Sequence, residues 1–547
     1  TWGIPMKQST KTRSRVARAA FVALLMSSAA TAALAAPATR DAKLQAMQQQ
    51  LDEMRAQMEQ MRAQNGQDAR LSAIQSQLEA FSQQLNEMKA QQDAQASDIV
   101  TLKAPPSGST VIPSLPNGKP MLATADKSFT ANIRAIVMFD AGAYLQKDHL
   151  PSTITGTASH LNNGTNFRRA RFGIDGKLFK DFDYALIYEF GGSGAEDAGH
   201  IQEAWAQYNG LKPLRIRIGA FEPNIGLSAA TSTSQMPFME RPSSAEIARG
   251  VAAGDSRSAI QVASNGIFGE GDSGIATRWF VSGAVTGNTV STVNSTGGFA
   301  TQPFGEQEAI IGRVALAPFD STNWQAHFGF NAQYVFRPND ATGGTAANPR
   351  YPVQLRDRPE LRIDATRLVD TGAIDARHVT VYGGEAGLTV RNFLVEGEYF
   401  KYKIDRRQAT ATANLGDPDF DGWYVQGVYV ITGEPRPYNP AEARFDAPKM
   451  AYNFNPAAGT WGAWEIGARY SDINLNWNDG VFGRATPAGG VRGGEQKIWT
   501  VGLNWYLNPA IRLMLDYSHV EVDRLNSAGA DQGQKFNTIA LRSQLTF

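Results

Sequence analysis

The chain of 547 residues contains no cysteine, which removes disulfides, thiolate metal sites and thiol catalysis together. Histidine is scarce, with six residues, so there is little material for a metal centre, and no metal or cofactor is expected. No surplus of charge exists either. The 52 Lys+Arg face 52 Asp+Glu, which argues against a nucleic-acid partner. Charged residues make up only 19% of the chain, below the roughly 25% of an average domain, while aromatics reach 10%. Long apolar runs are also missing beyond the first 36 residues. No spanning helix is therefore expected, and any membrane domain must be a closed barrel whose backbone groups pair between strands.

What is present begins with a leader. Lys7, Lys11, Arg13, Arg15 and Arg18 precede the apolar run Ala19-Ala20-Phe21-Val22-Ala23-Leu24-Leu25-Met26, and Ala33-Leu34-Ala35 supplies small residues for cleavage. Residues 1–36 read as a secretory signal peptide, with 1–5 an upstream extension before Met6. Leu44, Met47, Leu51, Met54, Met58 and Met61 then step by three and four, and Leu71, Ile74, Leu78, Phe81, Leu85 and Met88 resume the seam after Asn65-Gly66. Such heptads over 41–103 predict a periplasmic coiled coil that needs a partner helix. The alternative is an amphipathic helix folded back on the main domain. Residues 104–128, with Pro105, Pro106, Pro113, Pro116 and Pro120, read as a Pro-rich linker.

From Phe129 to Phe547 the apolar period changes to two. Tyr184, Leu186, Tyr188 and Phe190 share one face. So do Trp324, Phe328, Phe330, Tyr334 and Phe336; Trp423, Val425, Tyr429 and Ile431; and Trp499, Val501, Leu503 and Trp505. Segments of about ten residues with aromatic ends are the pattern of an all-β, antiparallel transmembrane barrel, apolar outside and polar inside. Short turns near 180–182, 211–213, 319–322 and 508–510 alternate with long connections at 146–166, 222–257, 288–306, 404–420, 474–496 and 524–535. The number of strands is even only if 358–368 belongs to an excursion over 337–376 that folds outward or into the lumen, at the cost of one long periplasmic connection, 433–460. Sixteen strands result, with eighteen as the alternative. The alternating end Ile539-Ala540-Leu541-Arg542-Ser543-Gln544-Leu545-Thr546-Phe547 resembles the C-terminal signature of bacterial outer-membrane barrels.

Alternation also sorts the charges. Arg134, Asp140, Arg169, Arg171, Asp175, Lys177, Glu189, Arg215, Arg217, Arg313, Arg469 and Arg542 turn toward the lumen, because an arginine facing hydrocarbon near the midplane costs about 2–4 kcal/mol. Guanidinium groups recognise oxyanions through several planar donors. Two roles stay open for these arginines: selecting anions, or pairing with Asp140, Asp175, Glu189 and Glu203 to stiffen the wall. The segment from Glu222 through Phe238, Glu240 and Arg241 is too long and too apolar for a solvated hairpin. It predicts an ordered constriction loop tucked into the barrel, with an external lid or subunit-contact loop as the alternative. No Ser/His/Asp set has supporting context, so no enzyme is expected.

Several strings carry a family likeness. Asn166-Phe167-Arg168-Arg169-Ala170-Arg171-Phe172-Gly173, Asp183-Tyr184-Ala185-Leu186-Ile187-Tyr188-Glu189-Phe190, Phe238-Met239-Glu240-Arg241 and Trp461-Gly462-Ala463-Trp464-Glu465-Ile466-Gly467, in this order after a coiled coil, resemble the phosphate-selective porin O and P family. The resemblance implies a sixteen-stranded, homotrimeric outer-membrane porin that takes up phosphate or polyphosphate passively. It assigns Arg169 and Arg171 to a basic strand, and Arg215 and Arg217 to the strand leading into the constriction. The chain departs from the pattern at Glu222, where the family often carries Lys. A carboxylate there would oppose anions. A general porin, and an envelope tether anchored by the barrel, are the competing functions.

Overall fold

The computed structural model describes residues 110–146, 160–192, 199–254, 256–269, 276–290, 307–318, 324–340, 351–407 and 415–547, with scattered positions between 49 and 87. The signal peptide, every seam position of the coiled coil and residues 104–109 lie outside them. The scattered positions between 49 and 87 are helical.

Sixteen long strands form the wall: β1 Thr130–Leu145, β2 Gly164–Leu178, β3 Phe182–Glu189, β4 His200–Tyr208, β5 Leu214–Phe221, β6 Arg257–Phe268, β7 Thr277–Thr289, β8 Glu308–Ala317, β9 Trp324–Arg337, β10 Ile374–Val390, β11 Phe393–Arg406, β12 Asp419–Val430, β13 Ala463–Trp477, β14 Val491–Tyr506, β15 Ile511–Asp523 and β16 Gln534–Thr546. Each pairs antiparallel with its neighbour, and β16 pairs with β1 from Asn537↔Leu145 to Thr546↔Ile136, closing the barrel. Closure leaves no free edge, the condition for backbone to cross a bilayer. The expected count of sixteen holds. Residues 358–368 belong to the connection 338–373, and the long connection at the end of the short turns spans 431–462.

The outward face follows the alternation. Phe172, Leu186, Phe328, Val501 and Trp499 are all more than one-third exposed, at the positions assigned to lipid. One stretch breaks the rule. Between β1 and β2 the register slips at Met138/Phe139, so Phe139 pairs Phe167 while Met138 pairs Arg169. Arg168 is the extra residue of this bulge, which turns it inward alongside Arg169.

The segment read as a linker differs from expectation. Val111–Ser114 and Met121–Thr124 form an antiparallel hairpin across a tight turn at Pro116–Gly118, and its second strand pairs with the start of β1. Pro113 is tolerated because it sits on an edge strand, where a missing N–H costs no ladder bond.

The lumen is not uniformly polar. Inward residues of β10–β13, including Val379, Val381, Phe400, Tyr402, Phe420 and Ile473, are buried in one apolar cluster with Ala245, Ile247 and Ala248. Those three belong to helix α2, Ser243–Ala252, which follows α1, Gly226–Ala230, in the connection 222–256. The apolar inner wall is thus where the loop docks.

The lumen as candidate permeation site

The connection 222–256 is held inside the barrel by side chains of the wall that reach its backbone. Glu398 accepts the Leu227 and Ser228 N–H groups at 2.8 and 2.9 Å and the Tyr424 hydroxyl at 2.7 Å. Gly226 is required at this entry: its φ is +66°, and a Cβ there would lie 2.1 Å from Glu398 Oε1. Arg512 donates to the Met236 carbonyl, Asn504 to that of Pro237 and Arg469 to that of Glu240, each at 2.8 Å. Asp516 accepts Met239 N–H at 2.9 Å, and Gln333 donates to Ala248 O at the same distance. Arg542 grips the Met239 carbonyl as well. Bonds from charged groups are among the stronger ones, at roughly 1.5–3 kcal/mol each.

Three of the expected site residues are anchors. Phe238 is 1% exposed and packs with Leu227, Leu394, Val428 and Phe445. Glu240 pairs with Arg168 at 2.8 Å and with Arg542 at 2.7 Å. Burial alone would raise the Glu240 carboxyl, but Arg168, Arg542, Arg169 and Arg362 hold it well below the usual carboxylate range. Asp140 is buried against Arg542, which makes two bonds to it of 2.7 Å across the closing seam.

A cavity of about 400 Å³ remains between the loop and the wall of β2–β4. Its lining includes nine arginines (168, 169, 171, 241, 249, 356, 358, 362 and 367) against the carboxylates Glu189, Glu222, Glu246 and Asp357, so its net charge is positive. The excursion, read as folding outward or inward, lies inward over its described residues 351–373 and contributes four of these arginines, 356, 358, 362 and 367, whereas Arg249 comes from α2. Arg171 pairs with Glu189 at 2.6 Å. Arg249 bonds both oxygens of Glu222, at 2.8 and 3.1 Å, and reaches Glu246 at 2.9 Å. The carboxylate that stands where a lysine was expected is thereby neutralised. Arg241 lines the cavity while donating to the Ser228 and Thr231 carbonyls at 3.2 and 3.0 Å.

Arg169 differs from its neighbours. It is 4% exposed, its Nε has no hydrogen-bond partner, and one terminal nitrogen touches only the Met138 sulfur at 3.6 Å. No carboxylate among the described residues forms an ion pair with it. Its main opposing charge is Glu240, which Arg168 and Arg542 already bind directly. A buried charge without a direct partner is costly, and this one borders open space.

The remaining expected residues lie on the same wall, nearer the short turns, and outside the cavity. Arg134 pairs with Asp175 at 3.2 Å and approaches Glu203 at 3.8 Å; Lys177 pairs with Asp183 at 2.6 Å. Arg217 donates to Gln207 at 2.9 Å and stacks 4.3 Å over Trp205. Arg215 donates to the Ala441 carbonyl at 2.7 Å. That carbonyl belongs to the connection 431–462, which also enters the lumen: Arg436 pairs with Glu465 at 2.6 Å, and Arg313 donates to Glu442 O and Ala443 O at 2.9 and 2.7 Å. Alternation found the inward face of these residues, and the bulge hid Arg168. The signal was available, since Phe167 and Phe172 both face lipid five positions apart, a spacing that demands one extra residue.

A closed antiparallel barrel narrowed by inward loops around a basic passage is the architecture of an outer-membrane channel. The sequence signature described as "Phosphate-selective porin O and P" matches residues 154–547. The chain belongs to this family, and with it to the outer-membrane anion porins. It is 26% identical over 438 residues to Porin O of Pseudomonas aeruginosa, covering 76% of this chain and 89% of that one. Among solved structures, an anion-selective porin from Comamonas acidovorans superposes with a TM-score of 0.42 at 13% identity, over 77% of this chain and 100% of that one. The outer membrane channel DcaP of Acinetobacter baumannii gives 0.40 at 11% identity, over 77% and 98%. At these scores the superpositions add nothing to the strand register that defines the barrel.

Proposed function

We propose that the protein conducts inorganic phosphate and related small oxyanions by passive diffusion, and that Arg169 is the central donor of their lumen site. The observation that carries this reading is the buried Arg169 guanidinium, which makes no direct ion pair among the described residues, at the edge of a net-positive cavity. A transient oxyanion would supply the direct partner that Glu240, shared with Arg168 and Arg542, does not. The paired Arg168 and Arg171 on either side offer weaker positions, and several weak sites favour passage over trapping. In planar bilayers under a KCl gradient, the purified protein should show a zero-current potential of the sign expected for anion preference, and phosphate should reduce the chloride current. Cation preference would overturn the reading. Anion preference without phosphate competition would leave a general anion porin, which the interleaved carboxylates favour as the second reading.

The Asp357 carboxyl adds a pH dependence. Burial pushes it up to about 6 despite Arg362 at 3.5 Å. As pH falls through that value the group becomes neutral, the lining loses a negative charge, and anion preference should rise. Zero-current potentials measured from about pH 8 to pH 5 should show this step, and Asp357→Asn should abolish it by holding the preference high throughout.

Homotrimeric assembly fits the wall of β3–β5. These strands have 8, 9 and 8 residues. At about 3.3 Å per residue and a tilt near 40° they rise only about 20 Å, short of a ~25 Å apolar band. Leu186 and Phe190 nevertheless expose more than half their surface there, a combination suited to a neighbouring subunit. The 41–103 coiled coil would join the same copies in the periplasm.

A further inference from the structure

The connection 431–462 has two unlike halves. Its first half lies in the lumen, where a hairpin of Tyr438–Asn439 and Arg444–Phe445 buries Phe445 against Leu227 and Phe238. Its second half pairs Phe454–Asn455 with Thr460–Trp461 around the turn Pro456–Ala458. This hairpin hangs on the end of β14: Phe454 N–H donates to Leu507 O at 2.6 Å, and Trp505 Nε1 donates to Trp461 O at 2.8 Å. Its rings extend the lipid-facing wall. Trp464 and Trp505 stack at 4.8 Å, and Phe454 lies 5.2 Å from Trp505 and 5.7 Å from Trp461. Trp464 and Trp505 are on the lipid side because their neighbours Glu465 and Asn504 bond to each other inside the barrel at 2.8 Å. Beyond this aromatic step, Tyr452 is 69% and Trp461 57% exposed. Lys449, also exposed, is the sole charged residue of 447–462.

We propose that the 447–462 hairpin is a membrane-interface anchor whose partner is the phospholipid of the periplasmic leaflet. Tyr452 and Trp461 sit at the boundary of headgroup and acyl chain, and Lys449 at the lipid phosphate. Lipid is the occupant because the surface continues the lipid-facing wall without a break. Its composition, two open aromatic rings with one cation and no acid, is that of interfacial segments. Two rings also make a patch far below the roughly 800 Å² per partner of a stable protein interface. The lipid-held half is covalently continuous with the half that fills the lumen, so the anchor fixes the base of the plug.

The absence of cysteine makes the test direct. Single-cysteine variants Tyr452→Cys and Trp461→Cys of the full chain, spin-labelled and reconstituted in phosphatidylethanolamine/phosphatidylglycerol vesicles, should collide more with oxygen than with an aqueous nickel chelate. Phe482→Cys, 73% exposed in the connection 478–490 at the other end, should do the reverse. Water-like collision at both 452 and 461 overturns the proposal, as does protection from both reagents, the mark of a protein partner. A second readout uses the native chain: lipids brominated near the headgroup should quench a fluorescence component that is lost in Trp461→Phe. Unchanged quenching in that variant counts against the anchor.

Discussion

Arg542→Met should destabilise the barrel by about 3–5 kcal/mol and loosen its constriction. Arg542 is fully buried and serves three groups: Asp140 through two bonds of 2.7 Å, Glu240 at 2.7 Å, and the Met239 carbonyl. Methionine fills much of the volume but leaves Asp140 without its cation in a dry site. Glu240 suffers less, because Arg168 and Arg362 still approach it at 2.8 and 3.6 Å. The loss therefore falls mainly on the seam and on the backbone of the loop. Thermal unfolding followed by the β-sheet circular dichroism signal should move well below that of the wild type, and single-channel traces should become noisier. An unshifted transition would mean that the triad's attraction only balances its desolvation.

The second large effect is expected at Arg169. Arg169→Ala removes a buried lining cation that makes no direct ion pair among the described residues, so the phosphate concentration that halves the chloride current should rise at least about tenfold, or ~1.4 kcal/mol. Arg169→Glu should go further and move the zero-current potential toward cation preference. Neither change breaks an ion pair among the described residues, so unfolding should shift far less than in Arg542→Met. Arg249→Gln is the contrasting case. It exposes Glu222, whose two bonds to Arg249 are 2.8 and 3.1 Å, and should weaken anion preference through the carboxylate it uncovers. Equal phosphate block in wild type and Arg169→Ala would remove Arg169 from the proposed site.

The barrel was legible because its cause is local. A strand with one wet and one oily face must alternate, and the alternation survives in Trp499, Val501 and Leu503 or in Phe328 and Phe330 without any knowledge of neighbours. Turn lengths then gave the strand number and placed an excursion at 337–376, against the observed connection 338–373. The roles of the inward arginines were not legible, because each depends on a partner far along the chain. Arg542 meets Asp140, 402 positions away, and Arg313 meets Glu385 and the carbonyls of 442 and 443. Pairing turned most candidates into struts and left Arg169 alone, a distinction no spacing encodes. The apolar inner wall of β10–β13 escaped for another reason. When both faces of a strand carry apolar residues the period of two fades, and Val379, Val381, Phe400 and Tyr402 look like any core.

The seam between β16 and β1 imposes an order of events on folding. The residues that set the calibre of the passage, Met239 and Glu240, are gripped by Arg542, five positions from the last residue. The full triad, which includes Asp140 of the first strand, cannot form until the terminal strand meets the first, the contact of greatest sequence separation in the wall and hence among the slowest to be rewarded. A barrel caught before that step would hold its loop from β9, β11 and β13–β15, through Gln333, Glu398, Arg469, Asn504, Arg512 and Asp516, without the full triad. The chain reaches a defined aperture in the same act by which it loses its last free edge.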